Sequence, residues 1–305
     1  MSILAIQAPA ESLHIPATRA SFTGIMRGEF LKISRLFWLL LSILTAGFLL
    51  SFLLLWTSPG TKTDLHNTPL HFLYSMMESN LSAFRVLVGI VLLILTSLTV
   101  GREYQYGTIR ILLARGAGRV QLLLAKLATL ALMALALLVA FSLLTAILTC
   151  TFTLATIGNL NALSALTPAF WSNTGICLLA VIISMGATIL LSLAMNALAR
   201  SLTFGLSASL AWFAIDNMGT IMMGLLSRLT HSHFWLDATT YFLGPLLNRL
   251  PDMLLPKQVQ TGFEAIGPAP LVSVEGTHAL WVIGAYLLAF FILALVPTWK
   301  RDVKE

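Results

Sequence analysis

Charge is what this chain has least of. Only 10% of its 305 residues are charged, 12 Asp and Glu against 18 Lys and Arg. A water-soluble domain carries about 25%, so this composition excludes an ordinary soluble enzyme, and with it the disordered and collagen-like classes. Cysteine is scarce as well. Cys150 and Cys177 both fall in apolar surroundings, which argues against a disulfide framework or a zinc site. A G-x-x-x-x-G-K-[ST] phosphate loop is missing. The closest glycine-rich run, Arg115–Arg119, lacks the lysine and the hydroxyl that follows it.

What is present is apolar and in long blocks. The hydrophobic share is 58% and the mean hydropathy is +0.90. Blocks of about 18 or more apolar residues cross the roughly 30 Å hydrocarbon layer as helices, because each backbone group inside lipid must be bonded within its own segment. Six such blocks are expected near Phe37–Thr57, Phe84–Val100, Lys126–Thr149, Ile176–Ala197, Leu202–Leu226 and Ala279–Val296. No small-residue cleavage site follows the first, so it reads as a retained span and not a signal peptide. The apolar run of the third continues to about Ala155, longer than one crossing needs.

The cations sort by loop. Arg19, Arg27, Lys32 and Arg35 precede the first span. Arg102, Arg110, Arg115, Arg119 and Lys126 lie between the second and third, Arg200 between the fourth and fifth, and Lys300, Arg301 and Lys304 after the sixth. The other side has only Lys62, Arg228, Arg249 and Lys257, with Arg85 at a boundary. The positive-inside rule then predicts that both termini are cytoplasmic. The positive balance is explained by topology, and no nucleic-acid partner is called for. Trp38 and Trp299 fall at inner ends of spans and Trp56, Trp171 and Trp281 near outer ends, as an interfacial belt requires; Trp212 and Trp235 do not fit it.

Outside the bilayer, residues 18–36 place Phe22, Ile25, Met26, Phe30 and Ile33 at helical spacing among cations. This predicts a helix lying in the cytoplasmic interface before the chain turns into span 1. Ser58–Ala83 is expected as an outer loop, and residues 227–278, rich in proline, as short helices over the outer mouth.

The most informative stretch is Val100–Leu127, VGREYQYGTIRILLARGAGRVQLLLAKL. Gly101 ends span 2, and Gly107-Thr108 supplies a turn and a helix start. Thr108–Ala114 makes two turns with Ile109, Leu112 and Leu113 apolar and Arg110 polar, and Gly116 and Gly118 break that helix. A short cytoplasmic helix, apolar on one side and basic on the other, suits docking onto another protein. A basic loop obeying the positive-inside rule would explain the cations, but not Glu103, Gly107-Thr108 and the double glycine.

This stretch resembles the permease subunits of ATP-binding-cassette exporters of the type 2 family. They carry an acid after span 2, a Gly-Thr turn, a short coupling helix, a Gly or Pro break with Arg, and a Lys entering span 3. Glu103, Gly107, Thr108, Arg110, Arg115, Gly116, Arg119 and Lys126 stand at those places. The motif covers about 28 residues, and the architecture nearly the whole chain. The resemblance implies an all-α membrane protein, residues 1–305 forming one permease domain. Its six transmembrane helices come with an N-terminal interfacial helix, a cytoplasmic coupling helix (loop 101–121) and a long extracellular segment before the last span. It implies a non-catalytic subunit of the plasma membrane that moves substrate outward. It would pair with a second permease subunit, identical or not, and dock a separate ATPase that binds ATP and Mg; no cofactor is expected on this chain. The docking residues would be Glu103, Gly107, Thr108, Ile109, Arg110, Leu113, Arg115 and Arg119.

Within the spans, Ser184, Thr188, Ser192 and Asn196 recur at i+4 steps on one face of span 4. Two readings stand: close helix packing, favoured by small and hydroxylated residues, or a polar wall along a substrate path or dimer seam. Thr145, Thr149 and Thr153 pose the same choice in span 3. Asp216 lies some 14 residues into span 5, where an acid costs a few kcal/mol unless paired or protonated. With Asn217 and Gly219 beside it the helix is expected to be locally interrupted, and Arg85 is the candidate partner. Asp216, Asn217, Ser184, Thr188 and Ser192 therefore form the candidate translocation path, against a structural role for Asp216. A proton- or ion-coupled secondary transporter using Asp216 is the main alternative, although no internal repeat between spans 1–3 and 4–6 supports it. A rhomboid-type protease fails because Ser207 and His278 fall near opposite faces, too far apart for nucleophile–base contact. His231 and His233 lie near Asp237, and no metal site is assigned.

Overall fold

The computed structural model describes residues 21–57, 59–114, 116–255 and 268–300. The chain forms ten helices in these segments: α1 (Phe22–Thr57), α2 (Pro59–Asn67), α3 (Pro69–Gln105), α4 (Thr108–Ala114), α5 (Arg119–Ile157), α6 (Pro168–Ala199), α7 (Leu202–Thr230), α8 (Phe234–Ala238), α9 (Leu243–Leu254) and α10 (Gly276–Lys300). There is no strand among the described residues. Six helices, α1, α3, α5, α6, α7 and α10, are long and apolar enough to cross a membrane, as the apolar blocks predict.

Punctuation in the sequence sets most of the ends. Pro69 and Pro168 occupy first helical turns, where the missing N–H costs nothing. Thr167 and Ser201 accept hydrogen bonds from Phe170 N and Phe204 N, and Gly158 stops α5 in the left-handed conformation. Centrally, α3 and α6 lie against each other, each 61% buried over its most apolar window; α7 shows only 11%. On one side α1 packs on α5, and on the other α10 packs on α6. Aromatic rings fill the seam between α1, α3 and α5, with Phe84 stacked on Phe141 at 4.2 Å and Phe72 on Phe152 at 5.6 Å.

Four expectations change. The interfacial helix is not a separate element: from Phe22 the chain runs through Thr57 as one helix. No proline or glycine lies near the predicted turn, and Ile33 and Phe37 are buried, which keeps that part of α1 against the bundle. Ser58 lies outside the described residues, and residues 59–83 are not a loop, because they hold α2 and the first turns of α3, with Glu78, Asn80 and Ser82 buried. The helix does not break at Asp216–Gly219, since α7 is continuous there. Gly219 serves packing instead: a Cβ on it would lie 2.7 Å from the Phe242 ring. Finally, residues 227–255 do form short helices, but α9 is inserted against α6, α7 and α10, with Leu243, Leu246, Leu247 and Leu250 all buried.

Candidate functional site: the α4 face and the Asp216 cavity

At one end of the bundle, α3 ends at Gln105 and the chain reverses through Gly107, whose φ is +65°. Only glycine enters that region without strain. A second such glycine, Gly116 at φ +84°, ends α4. Between them α4 lies across the bundle end with Ile109 buried beneath it. Arg119 Nη1 donates to the Trp299 carbonyl at 3.3 Å, tying the loop's exit to the end of α10.

Beneath this loop is a cluster of four charges from three helices. Lys126 Nζ donates to Glu29 Oε2 at 2.7 Å and to the Thr99 carbonyl at 3.3 Å, and lies 3.0 Å from Glu103 Oε1. Lys32 Nζ reaches Glu29 Oε1 at 2.8 Å and Glu103 Oε1 at 2.9 Å. Glu29, Lys126 and Glu103 are 2%, 3% and 7% exposed, whereas half of the Lys32 side chain is open. Buried ions persist only when paired, and here each has a partner from a different helix.

The predicted docking residues therefore divide. Thr108 and Arg110 are exposed, and Gly107 and Leu113 half-buried. Glu103 and Ile109 are turned into the protein, Arg119 is half-buried against α10, and Arg115 lies outside the described residues. Two residues the sequence reading passed over stand out from the loop: Tyr106 is 71% exposed and Ile111 54%. Tyr106 could have been found as the residue before a turn glycine, and Ile111 as the apolar position two after the buried Ile109.

Asp216 lies about 21 Å along α7 at 1.5 Å per residue. Its carboxylate accepts backbone N–H bonds from Gly244 and Leu243, in the first turn of α9. Helix starts leave N–H groups unbonded and carry partial positive charge, and α9 has no cap of its own: Phe242 occupies the cap position. Asp216 therefore caps α9 from another helix. Asn217 completes the junction. Its Oδ1 accepts from Asn248 Nδ2 at 3.0 Å and its Nδ2 donates to the Phe213 carbonyl at 2.7 Å. A Cβ on Gly244 would lie 2.8 Å from the Asn217 amide.

Arg85 lines the same cavity, of about 30 Å³, with Asp216, Asn217, Ser184 and Thr188. That is room for one or two waters. The expected Arg85–Asp216 ion pair is not formed within 4.0 Å, and Arg85 Nε and Nη2 have no hydrogen-bond partner among the described residues. The polar stripe of α6 splits. Ser184 and Thr188 face this cavity, whereas Ser192 and Asn196 join α6 to α3: Ser192 Oγ lies 3.0 Å from Ser97 Oγ, and Asn196 Nδ2 donates to Ser97 Oγ at 3.0 Å. Ser192 thus leaves the candidate path for the packing reading. In the third span Thr153 bonds the Thr149 carbonyl. Ser207 bonds within α7 and His278 packs on Tyr241, so they form no dyad.

A family model of ABC-2 family transporter proteins matches residues 25–225, more than half of the chain, from the first turn of α1 nearly to the end of α7. No curated protein and no solved structure matches. The matched region contains the charge cluster, α4, and Asp216. A six-span, all-α multi-pass membrane protein that matches this family over such a length is a permease component of an ABC transporter; the chain belongs to the ABC-2 transporter family.

Proposed function

We propose that this chain is the membrane half of an ATP-driven exporter, with a separate ATPase docked on α4. On this reading the α4 end is cytoplasmic, the membrane is the plasma membrane, and a second permease subunit completes the pathway. The observation that carries it is the build of the α4 face. A short helix between two left-handed glycines presents Arg110 and Ile111 outward, and Tyr106 stands exposed just before it. Its root is anchored by Glu103 to α1 and α5. An ATPase that displaces α4 therefore pulls on three spans together, which suits a shift between discrete packings.

Arg110→Glu tests this. The exposed side chain has no partner among the described residues, so the variant is expected to keep its thermal stability while failing to co-purify with the ATPase and to stimulate it. Transport into liposomes by the purified chain without any ATPase would overturn the reading. The secondary-transporter alternative draws no support from Asp216, whose carboxylate is committed to the start of α9.

A further inference from the structure

A groove of about 410 Å³ opens between α1, the last turns of α3 and α4, within the usual size range of small-molecule sites. Its wall changes character along its length. Ile33, Leu36 and Leu98 are apolar, Lys32 and Arg102 stand with the acids Glu29 and Glu103 at the charged middle, and Ile111 and Leu112 of α4 close the far side. Lys32 spends two of its three ammonium donors on Glu29 and Glu103. Arg102 is exposed and enters no ion pair among the described residues. Glu103, also in the wall, keeps Oε2 buried and without a hydrogen-bond partner. Exposed Arg35 and Trp38 follow Lys32 on α1, and a cation beside an indole marks the depth of lipid headgroups. The groove thus has an apolar end toward the hydrocarbon and a charged stretch at the membrane surface, where Arg102 is the cation left without a carboxylate partner among the described residues.

We propose that this groove binds an anionic glycerophospholipid with a hydroxyl-bearing headgroup, of the phosphatidylglycerol type. Basic pockets between spanning helices at the membrane surface take up acidic headgroups in this way. The phosphate lies between Lys32 and Arg102, a headgroup hydroxyl donates to Glu103 Oε2, and an acyl chain follows Ile33, Leu36 and Leu98. A choline headgroup fails on two counts, having no net charge and no N–H or O–H to give Glu103. The lipid joins the helix carrying Lys32 to the root of α4. The proposal does not depend on which partner docks there.

The full chain, purified in detergent, is offered equal amounts of phosphatidylglycerol and phosphatidylcholine with the same acyl chains, and bound lipid is read by native mass spectrometry. The expected result is selective retention of phosphatidylglycerol, with millimolar glycerol 3-phosphate failing to displace it. Arg102→Gln is expected to lower that retention about fivefold, the share of one cation near an anionic lipid surface, with the unfolding temperature of the lipid-free protein unchanged. Arg228→Gln, at the far end of α7, is expected to leave it unaltered. Equal retention of the two lipids overturns the proposal, as does indifference to Arg102→Gln or an equal loss with Arg228→Gln. Displacement by glycerol 3-phosphate would assign the site to free phosphate. Loss of ATPase capture in Arg102→Gln, with no lipid preference in the parent, would assign the groove to the protein partner. Either result overturns the lipid.

Discussion

Lys126→Met removes the central cation of the buried cluster while keeping most of the side-chain volume. Its ammonium faces Glu29 at 2.7 Å and Glu103 at 3.0 Å. At an effective dielectric of about 20, each contact carries a gross attraction of about 6 kcal/mol, most of which offsets the cost of taking the ions out of water. The net consequence of deleting one partner is set by what is left behind. Glu29, almost wholly buried, would keep only the half-exposed Lys32, and Glu103 would already have one oxygen unbonded. Breaking a buried pair in this way costs about 3–5 kcal/mol. For a chain of this size that corresponds to a fall of roughly 5–8 °C in the unfolding midpoint, measured in detergent by intrinsic fluorescence. The double variant Lys126→Met with Glu29→Gln removes the orphaned charge and is expected to recover most of the loss. If the single variant melts within about 2 °C of the parent, or the double is no better than the worse single, the cluster does not hold α1, α3 and α5 together and the reasoning fails.

Asp216→Asn is expected to be tolerated and Asp216→Ala to lose about 1–2 kcal/mol of stability, because Asn caps a helix about as well as Asp and Ala does not; a thermal shift measures both, and transport abolished by Asn with stability intact would instead make Asp216 a working group. Gly205→Ala places a Cβ 2.9 Å from the Asn196 Cα and closer to its amide, so a destabilisation of about 1–3 kcal/mol is expected, read as a lower midpoint, and no change would mean that α6 and α7 are further apart than described. Ser192→Ala loses the bonds to Ser97 and the Leu93 carbonyl, costing about 1–2 kcal/mol with transport per folded molecule unchanged; a selective transport defect would return Ser192 to the substrate path.

How much of this was legible follows from where each partner lies in the chain. The spans were readable because hydropathy is local, and the turn glycines around α4 because their conformation is local too. The continuity of α1 was not. Cations among apolar residues suggested a surface helix, but the cation that draws the acid Glu29 inward is Lys126, 97 residues away. Glu103 was identified as important and misdirected for the same reason: its partners lie on α1 and α5, and it faces them instead of the solvent. The first turns of α3 read as a loop because Glu78, Asn80 and Arg85 lower the hydropathy, although all three are buried. Asp216 carried a usable signal that went unread. Phe242-Leu243-Gly244-Pro245 starts a helix, with proline in its first turn and no Ser, Thr, Asp or Asn to cap it. A helix start of that kind, packed against apolar spans, needs an acceptor from elsewhere, and α7 offers one in Asp216.

The two buried charge groups answer different mechanical needs. At the α4 end, four charges cross-link α1, α3 and α5 through contacts of 2.7 to 3.0 Å, and charge pairs of this kind resist sliding because any shift leaves an ion unpaired in low dielectric. The turns at that end are made by Gly107 and Gly116, on either side of α4. At the α9 end the fit is polar but sparsely bonded. Asp216 holds the start of α9, and Arg85 stands across a water-sized cavity with two of its guanidinium nitrogens unbonded. On the proposed exporter reading, movement entering at α4 is carried through the linked ends of α1, α3 and α5 without loss of register. It can then be taken up where α7 and α9 meet, since rearranging a cavity with room for water costs less than separating buried ion pairs.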